Sequence, residues 1–196
     1  MNFKESETCK NIMKAFAGES QARNRYTFAA SIARKNNLYV VEAVFNYTAG
    51  QEKEHGEIFY NMLQDCAGET IFIDGGYPVD LSNNVEDLLK MAQHNELEEY
   101  SDVYDNFAKV AKDEGFDNIA NTFSMIAEIE KVHSDRFGRL AEELQSGRMF
   151  MSDCDTKWMC LNCGHVLEAK GVPEACPVCK HDKGYFIRME FSPYEN

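Results

Sequence analysis

Proline is scarce in this 196-residue chain. There are four, at positions 78, 173, 177 and 193, so residues 1–77 and 79–150 contain none. Proline is excluded from helix interiors because it lacks the N–H and clashes with the preceding turn, so both stretches are free to form long helices. Basic residues are also in short supply: 20 against 33 acidic, a formal net charge of −13. Nucleic acids and anionic membranes are bound by basic surfaces, so no nucleic-acid partner is expected. Long apolar runs are missing as well. YVVEAVF is broken by Glu42, and MNFKESETCK lacks the apolar stretch of a secretory signal, so the expectation is a cytoplasmic protein with no membrane partner.

The apolar residues recur at helical spacing, for example Ile12, Ala15 and Phe16 early on, and Phe123, Ile126 and Ala127 later. This predicts four helices: from about Ser6, a candidate N-cap, to Lys35; from about Tyr39 to Asp65; from Asn83 or Asn84 to about Glu114; and from about Phe116 to Gln145. Asn36-Asn37 and Gly115 mark tight turns within two antiparallel pairs. Residues 66–82, with Gly75-Gly76 and Pro78, form a longer connection that permits a crossover. After Gly147 the chain is short, rich in glycine and proline, and without helical periodicity. A piece this small needs metal or disulfide staples to fold. The expected organisation is a bundle over 1–148 followed by a small cysteine domain over 149–196.

Acidic residues interrupt the apolar helix faces in a repeated way. The second helix holds Glu52-Lys53-Glu54-His55 and the fourth Glu130-Lys131-Val132-His133, each an E-x-x-H. The third holds Glu96-Leu97-Glu98-Glu99, an E-x-x-E, and the first holds Glu19 in line with Ile12 and Phe16. Positions i and i+3 share a helix face, so each pair can reach a common point. A single E-x-x-H is uninformative, because Glu-rich helices show that spacing on solvated faces. Four in-register sets on four long helices point to one shared interior site. Glu52 follows Glu19 by 33 residues and Glu130 follows Glu96 by 34, as if a helix pair were repeated about a pseudo-twofold axis.

Bare carboxylates in a bundle core repel one another and lose their hydration. Two ferrous ions would set four positive charges against five glutamates, and oxygen-rich ligation with imidazole suits iron or manganese better than structural zinc. Glu54, Glu57, Glu98 and Glu128 lie off the inferred face, and His94 should point elsewhere. Tyr26 and Tyr104 lie on compatible faces, either as hydrogen-bond partners of the carboxylates or as core fillers.

The tail carries Cys160-Leu161-Asn162-Cys163 and Cys176-Pro177-Val178-Cys179. Two such knuckles predict a tetrahedral four-thiolate site. Zinc and a single iron both accept four thiolates, and a redox site upstream favours iron, with zinc possible in recombinant protein. His165 and His181 are expected at the surface, and Cys9, Cys66 and Cys154 as ordinary residues.

The segments GESQARNRYTFAA, QEKEH, ELEEYSDVYDNFAKVAKDEGF, IAEIEKVHSDRF, WMCLNCGH and CPVCK together resemble the rubrerythrin family over nearly the whole chain. The resemblance implies a mainly α protein, a ferritin-like four-helix bundle followed by a small rubredoxin-like β/loop metal domain. It implies a non-haem di-iron site that reduces hydrogen peroxide to water in defence against oxidative stress, with a rubredoxin-like iron relaying electrons from rubredoxin or an NAD(P)H-dependent reductase. Ferroxidase or dioxygen-reductase chemistry, or passive metal binding, are the alternatives. Carried over by position, Glu52 and Glu130 bridge the irons, and Glu19, Glu96, Glu99, His55 and His133 complete the ligands. The resemblance also implies that one iron moves on reduction, exchanging a glutamate for a histidine, here Glu99 for His55. A homodimer is implied, with the cysteine site of one subunit near the di-iron site of the other. The connection containing Tyr77-Pro78 departs from the family pattern.

Overall fold

A computed structural model describes residues 2–192. Residues 193–196, the end of the expected cysteine domain and the site of Pro193, lie outside the described residues. The helices are α1 (Glu7–Lys35), α2 (Tyr39–Met62), α3 (Val85–Glu98), α4 (Tyr104–Asp113) and α5 (Asp117–Gln145). The Ser6 side chain caps α1 by accepting from the Cys9 N–H at 3.0 Å, and Asn84 caps α3 by accepting from the Glu86 N–H at 2.8 Å. Glu114, at the end of α4, accepts from the free amides of Glu7 and Thr8 and so ties the two helix ends together. Gly115, at φ +88°, makes the α4–α5 turn. The second helix ends three residues before its expected limit of Asp65, giving way to a 3-10 turn at Gln64–Cys66.

The predicted third helix is continuous but not uniform. Between α3 and α4 lies a π-helical segment, Glu99–Val103. Tyr26 follows Glu19 by seven residues, whereas Tyr104 follows Glu96 by eight. A π segment absorbs one extra residue, so it returns Tyr104 to the inward face that an unbroken α-helix would have rotated away.

α1 packs along α2, and α5 packs along α3 and α4. The interior has two apolar clusters. One gathers Tyr26, Phe45, Leu89, Phe137 and Leu140; the other gathers Ile12, Phe59, Tyr104, Phe123 and Ile126. Truncating a buried phenylalanine in either would cost about 3–5 kcal/mol. On every long helix the predicted acid falls between the two clusters: Glu19 between Ala15 and Ala22, Glu52 between Ala49 and Phe59, Glu96 between Ala92 and Tyr104, and Glu130 between Ala127 and Phe137. The bundle is therefore layered apolar, polar, apolar. Gly138 lets α3 approach α5, since a Cβ there would lie 2.3 Å from the Gln93 side chain.

The tail forms an antiparallel sheet of order β2-β1-β3, with β1 Met151–Cys160, β2 Val166–Gly171 and β3 Phe186–Arg188. Its own small core is Trp158, Cys160, Cys176 and Phe186. Met149, Met159 and Ile187 join the first bundle cluster. Tyr185 stacks on Tyr39 at 4.1 Å, and Gly184 sits so close to the α1–α2 turn that a Cβ would lie 1.8 Å from the Asn37 carbonyl oxygen. Among the described residues no helix is long and apolar enough to cross a membrane.

Candidate metal centres

The polar layer brings six of the seven predicted bundle residues into two overlapping groups. Glu19, Glu52, His55 and Glu130 offer donor atoms within 4.8 Å of one another, and so do Glu52, Glu96, Glu130 and His133. Glu52 and Glu130 belong to both. His55 Nδ1 lies 3.1 Å from Glu52 Oε2 and 3.0 Å from Glu130 Oε1; His133 Nδ1 lies 3.0 Å from Glu52 Oε1 and 2.8 Å from Glu130 Oε2. The two rings face each other nearly parallel, with centroids 5.7 Å apart.

Glu19, Glu130 and His133 are fully buried, and Glu52, Glu96 and His55 nearly so. Both oxygens of Glu52 and of Glu130, one oxygen each of Glu19 and Glu96, and Nδ1 of both histidines lack a hydrogen-bond partner among the described residues. Buried polar atoms are ordinarily satisfied. So many unsatisfied donor atoms aimed at two points fit a pair of metal cations, and the mix of carboxylate and imidazole fits iron. Electrostatics agree. Burial, then the charges of Glu130 and Glu52, pushes the carboxyls of Glu19 and Glu96 well above the usual range, although for Glu96 it is Glu52 that weighs more. Burial opposes charge on His55 and His133 too, but the carboxylates close to their Nδ1 atoms, Glu130 and Glu52 first, outweigh it and hold them up at about 9 and about 12. Glu130 resists burial through the same two imidazoles and stays at about 2. In the metal-free cluster, protons supply the positive charge that cations would bring.

Glu99 stands apart. It begins the π segment, is partly exposed, and is not among the residues grouped within 4.8 Å. Burial of its carboxyl, then Glu130 and Glu52, pushes it up to about 8. It lines a cavity of about 410 Å³ together with Gly18, Tyr104, and Tyr77 and Pro78 of the α2–α3 connection.

Both tyrosines reach the layer. The Tyr26 hydroxyl donates to Glu96 Oε1 and the Tyr104 hydroxyl to Glu19 Oε1, related as the pseudo-twofold requires. Sequence reasoning missed three residues around His133. The Gln51 amide oxygen accepts from His133 Nε2 at 3.1 Å and from Arg136 Nη1 at 3.0 Å, and Arg136 also donates to Thr48 Oγ1. An amide oxygen only accepts, so Nε2 carries a hydrogen and Nδ1 is the nitrogen turned toward the carboxylates, the one that would bind a metal once its proton is displaced. The signal was available: Gln51 precedes Glu52, one turn before His55. The set-aside residues lie elsewhere: Glu54, Glu57, Glu98, Glu128 and His94 are exposed, as is His181, whereas His165 is half-buried.

In the tail, Cys160, Cys163, Cys176 and Cys179 bring four sulfurs within 4.8 Å. The Cys160–Cys179 and Cys163–Cys176 separations are 3.8 and 3.7 Å. A tetrahedron with metal–sulfur bonds of about 2.3 Å has edges of about 3.8 Å, so the four thiols fit one metal. The knuckles match in backbone: Gly164 and Lys180, each following a second cysteine, have positive φ and donate their N–H to the carbonyls of Cys160 and Cys176. The His181 backbone N–H is the main influence drawing the Cys179 thiol down to about 6, while burial pushes Cys160 up to about 12.

Comparison with known proteins gives the same two parts. The family model described as "Rubrerythrin" matches residues 10–141, and that described as "Rubrerythrin, rubredoxin-like domain" matches residues 158–187. A rubrerythrin of Clostridium perfringens is 42% identical over 186 residues, covering 94% of this chain and 95% of that one. A rubrerythrin of Nitratidesulfovibrio vulgaris is 39% identical over 185 residues, with the same coverage of 94% and 95%. Among solved structures, nigerythrin in its fully reduced, all-ferrous state superposes with a TM-score of 0.62 at 25% identity, covering 96% of this chain and 93% of that one.

Proposed function

Because the chain belongs to the rubrerythrin family, we propose that this iron protein is a peroxidase that reduces hydrogen peroxide to water. Electrons reach its di-iron site from an external NAD(P)H-linked donor, a reductase or rubredoxin, through the four-cysteine iron. The observation carrying the reading is the pair of overlapping donor groups that share Glu52 and Glu130 in a buried layer.

In this reading Glu52 and Glu130 would be shared by both metals, Glu19 and His55 would complete one half, and Glu96 and His133 the other, with Glu99 as the seventh residue. A pair of ferrous ions held by these residues would supply two electrons and Lewis acidity, which is what reducing a peroxide to water requires. The chain supplies the surroundings. The apolar clusters on either side exclude water from the layer. Tyr26 and Tyr104 orient Glu96 and Glu19; burial first, then the charge of the carboxylate each one touches, holds their hydroxyls well above the usual phenol range, so both keep their protons. The cavity beside Glu99 and Tyr104 is the entry for a small oxidant.

We further place the division between the two domains at residues 148 and 149, the protein in the cytoplasm, and the working unit as a homodimer. Along α2, thirteen residues separate Glu52 from Tyr39, which stacks on Tyr185 beside the cysteine site. At 1.5 Å per residue that is about 20 Å, a long path for electrons within one chain. Met125, Ile129 and Val132 form an exposed apolar stripe along α5, suited to a partner subunit that would bring its own cysteine site closer.

Stopped-flow mixing of the fully reduced protein with peroxide, and separately with dioxygen, tests the activity. Oxidation much faster with peroxide supports a peroxidase; oxidation no faster than with dioxygen would favour ferroxidase or oxygen-reductase chemistry.

A further inference from the structure

Cys9 and Cys66 belong to neither metal centre, and the sequence gives no reason to connect them. The fold does. Cys9 lies in the first turn of α1 and Cys66 in the 3-10 turn that follows α2. Their sulfurs are 3.6 Å apart, a closer approach than either sulfur pair quoted for the tail. The gap from there to a bonded separation of about 2.05 Å is about 1.5 Å.

The two thiols have different surroundings. Cys9 is 1% exposed and packs in the cluster with Ile12 and Phe59. Cys66 is 6% exposed and lines a surface cleft of about 350 Å³ with Met13, Tyr60, Gln64 and Glu69. Lys4 bridges to Glu69 at 2.6 Å at the rim of this cleft. Burial, then the neighbouring thiol, pushes the Cys9 thiol up to about 12. One sulfur is therefore reachable by a small oxidant and the other waits behind it.

We propose that Cys9 and Cys66 form a redox-modification site, joined by hydrogen peroxide into a reversible disulfide that ties the start of α1 to the end of α2. The Cys66 thiolate attacks one peroxide oxygen; an S–O bond forms, the O–O bond breaks, and the departing oxygen is protonated to water, leaving Cys66 as a sulfenic acid. The Cys9 sulfur then attacks the Cys66 sulfur; the S–S bond forms, the S–O bond breaks, and a second water leaves with the Cys9 proton. Two thiols and one peroxide give one disulfide and two waters, and two electrons pass from sulfur to oxygen. In a reducing compartment such a bond is transient and reports oxidant. It closes a 57-residue separation spanning Glu19, Glu52 and His55, so it would brace the helix pair that carries half of the di-iron site. The chemistry is stoichiometric in sulfur and does not depend on turnover at the metals.

The test uses the iron-loaded full-length chain treated with excess peroxide, quenched with catalase, denatured in N-ethylmaleimide and mapped by mass spectrometry without reductant. The expected result is a cross-linked peptide pair containing Cys9 and Cys66, lighter by two hydrogens than the separate peptides and released by dithiothreitol. The melting temperature of the oxidised protein should rise by about 5–10 °C. Cys66→Ser should leave Cys9 free to alkylation, and Cys9→Ser should leave Cys66 trapped as sulfenic or sulfinic acid. Recovery of both thiols alkylated from the treated wild-type protein, or of Cys66 over-oxidised beside an untouched Cys9, would overturn the proposal. That reading uses the wild-type chain alone, so it holds even if a variant folds poorly.

Discussion

The two halves of the buried carboxylate layer carry the same chemistry in different mountings. On one side His133 is fully buried and its Nε2 is fixed by Gln51, which Arg136 holds in turn. On the other side His55 is 5% exposed, and Tyr104, which bonds Glu19, lines a surface cavity together with Glu99. Pseudo-symmetry supplied two equivalent half-sites, and their surroundings differ: one holds a fully buried, hydrogen-bonded His133, and the other holds a slightly exposed His55 whose carboxylate partner Glu19 is bonded by Tyr104 beside the cavity. A small oxidant should therefore react from the His55 side, while the His133 side keeps its metal in place.

The largest effect should come from a residue both halves share. Glu130→Ala removes a donor from each group and leaves the other acids facing one another. Changes to the outer partners of metal ligands already cost about 10–100-fold, so peroxide reduction should fall by more than about 100-fold in stopped-flow mixing. A modest slowing would mean that the halves do not share this carboxylate.

A change outside the donor groups should separate the halves. Gln51→Ala frees the His133 ring and should weaken ferrous binding on that side by about 10-fold or more while leaving the His55 side near wild type. A ferrous titration with two resolved phases reads this directly. Equal weakening of both phases would erase the contrast between them.

Removing metal should reverse the usual pH behaviour. In the metal-free protein Glu19, Glu96 and Glu99 hold protons more tightly folded than unfolded, Glu99 up to about 8, and His55 does so up to about 9. A group whose pKa is raised by folding contributes fully below its unfolded value, and that contribution is lost as pH rises through the folded value. The metal-free melting temperature should therefore fall between about pH 5 and pH 9, and iron should abolish the decline. A flat metal-free profile would place the acids in water.

The smallest effects test the symmetry itself. Tyr26→Phe and Tyr104→Phe each remove one hydrogen bond to a buried carboxylate and should each cost about 1–3 kcal/mol in denaturant unfolding. Similar stability costs with slower peroxide oxidation in Tyr104→Phe alone would confirm that the accessible half is the reacting one.

Much of this was legible in the sequence because helical periodicity and charge burial are local rules. Glu19, Glu52, Glu96 and Glu130 each interrupt an apolar face, and no solvated surface needs four such interruptions in register. The Ser6 cap, the Gly115 turn and the four-sulfur tail follow from equally short-range logic. The π segment is different. Its trace was the 34-residue spacing of Glu96 and Glu130 against 33 for Glu19 and Glu52, but spacing alone does not say where along the helix the extra residue is absorbed. Gln51 was overlooked because its role depends on which ring nitrogen His133 turns outward, a tertiary fact. The approach of Cys9 to Cys66 depends on how α1 and α2 end against each other, which no spacing along the chain encodes.

All of these outcomes require that two metals share Glu52 and Glu130 inside the bundle. Titrating ferrous iron into the metal-free full-length chain, and counting bound metal by native mass spectrometry, tests it against Glu52→Ala. The wild-type chain should take up three irons, and Glu52→Ala should keep only the one held by the four cysteines. A Glu52→Ala protein that still binds an iron firmly in the bundle would contradict the shared-carboxylate arrangement.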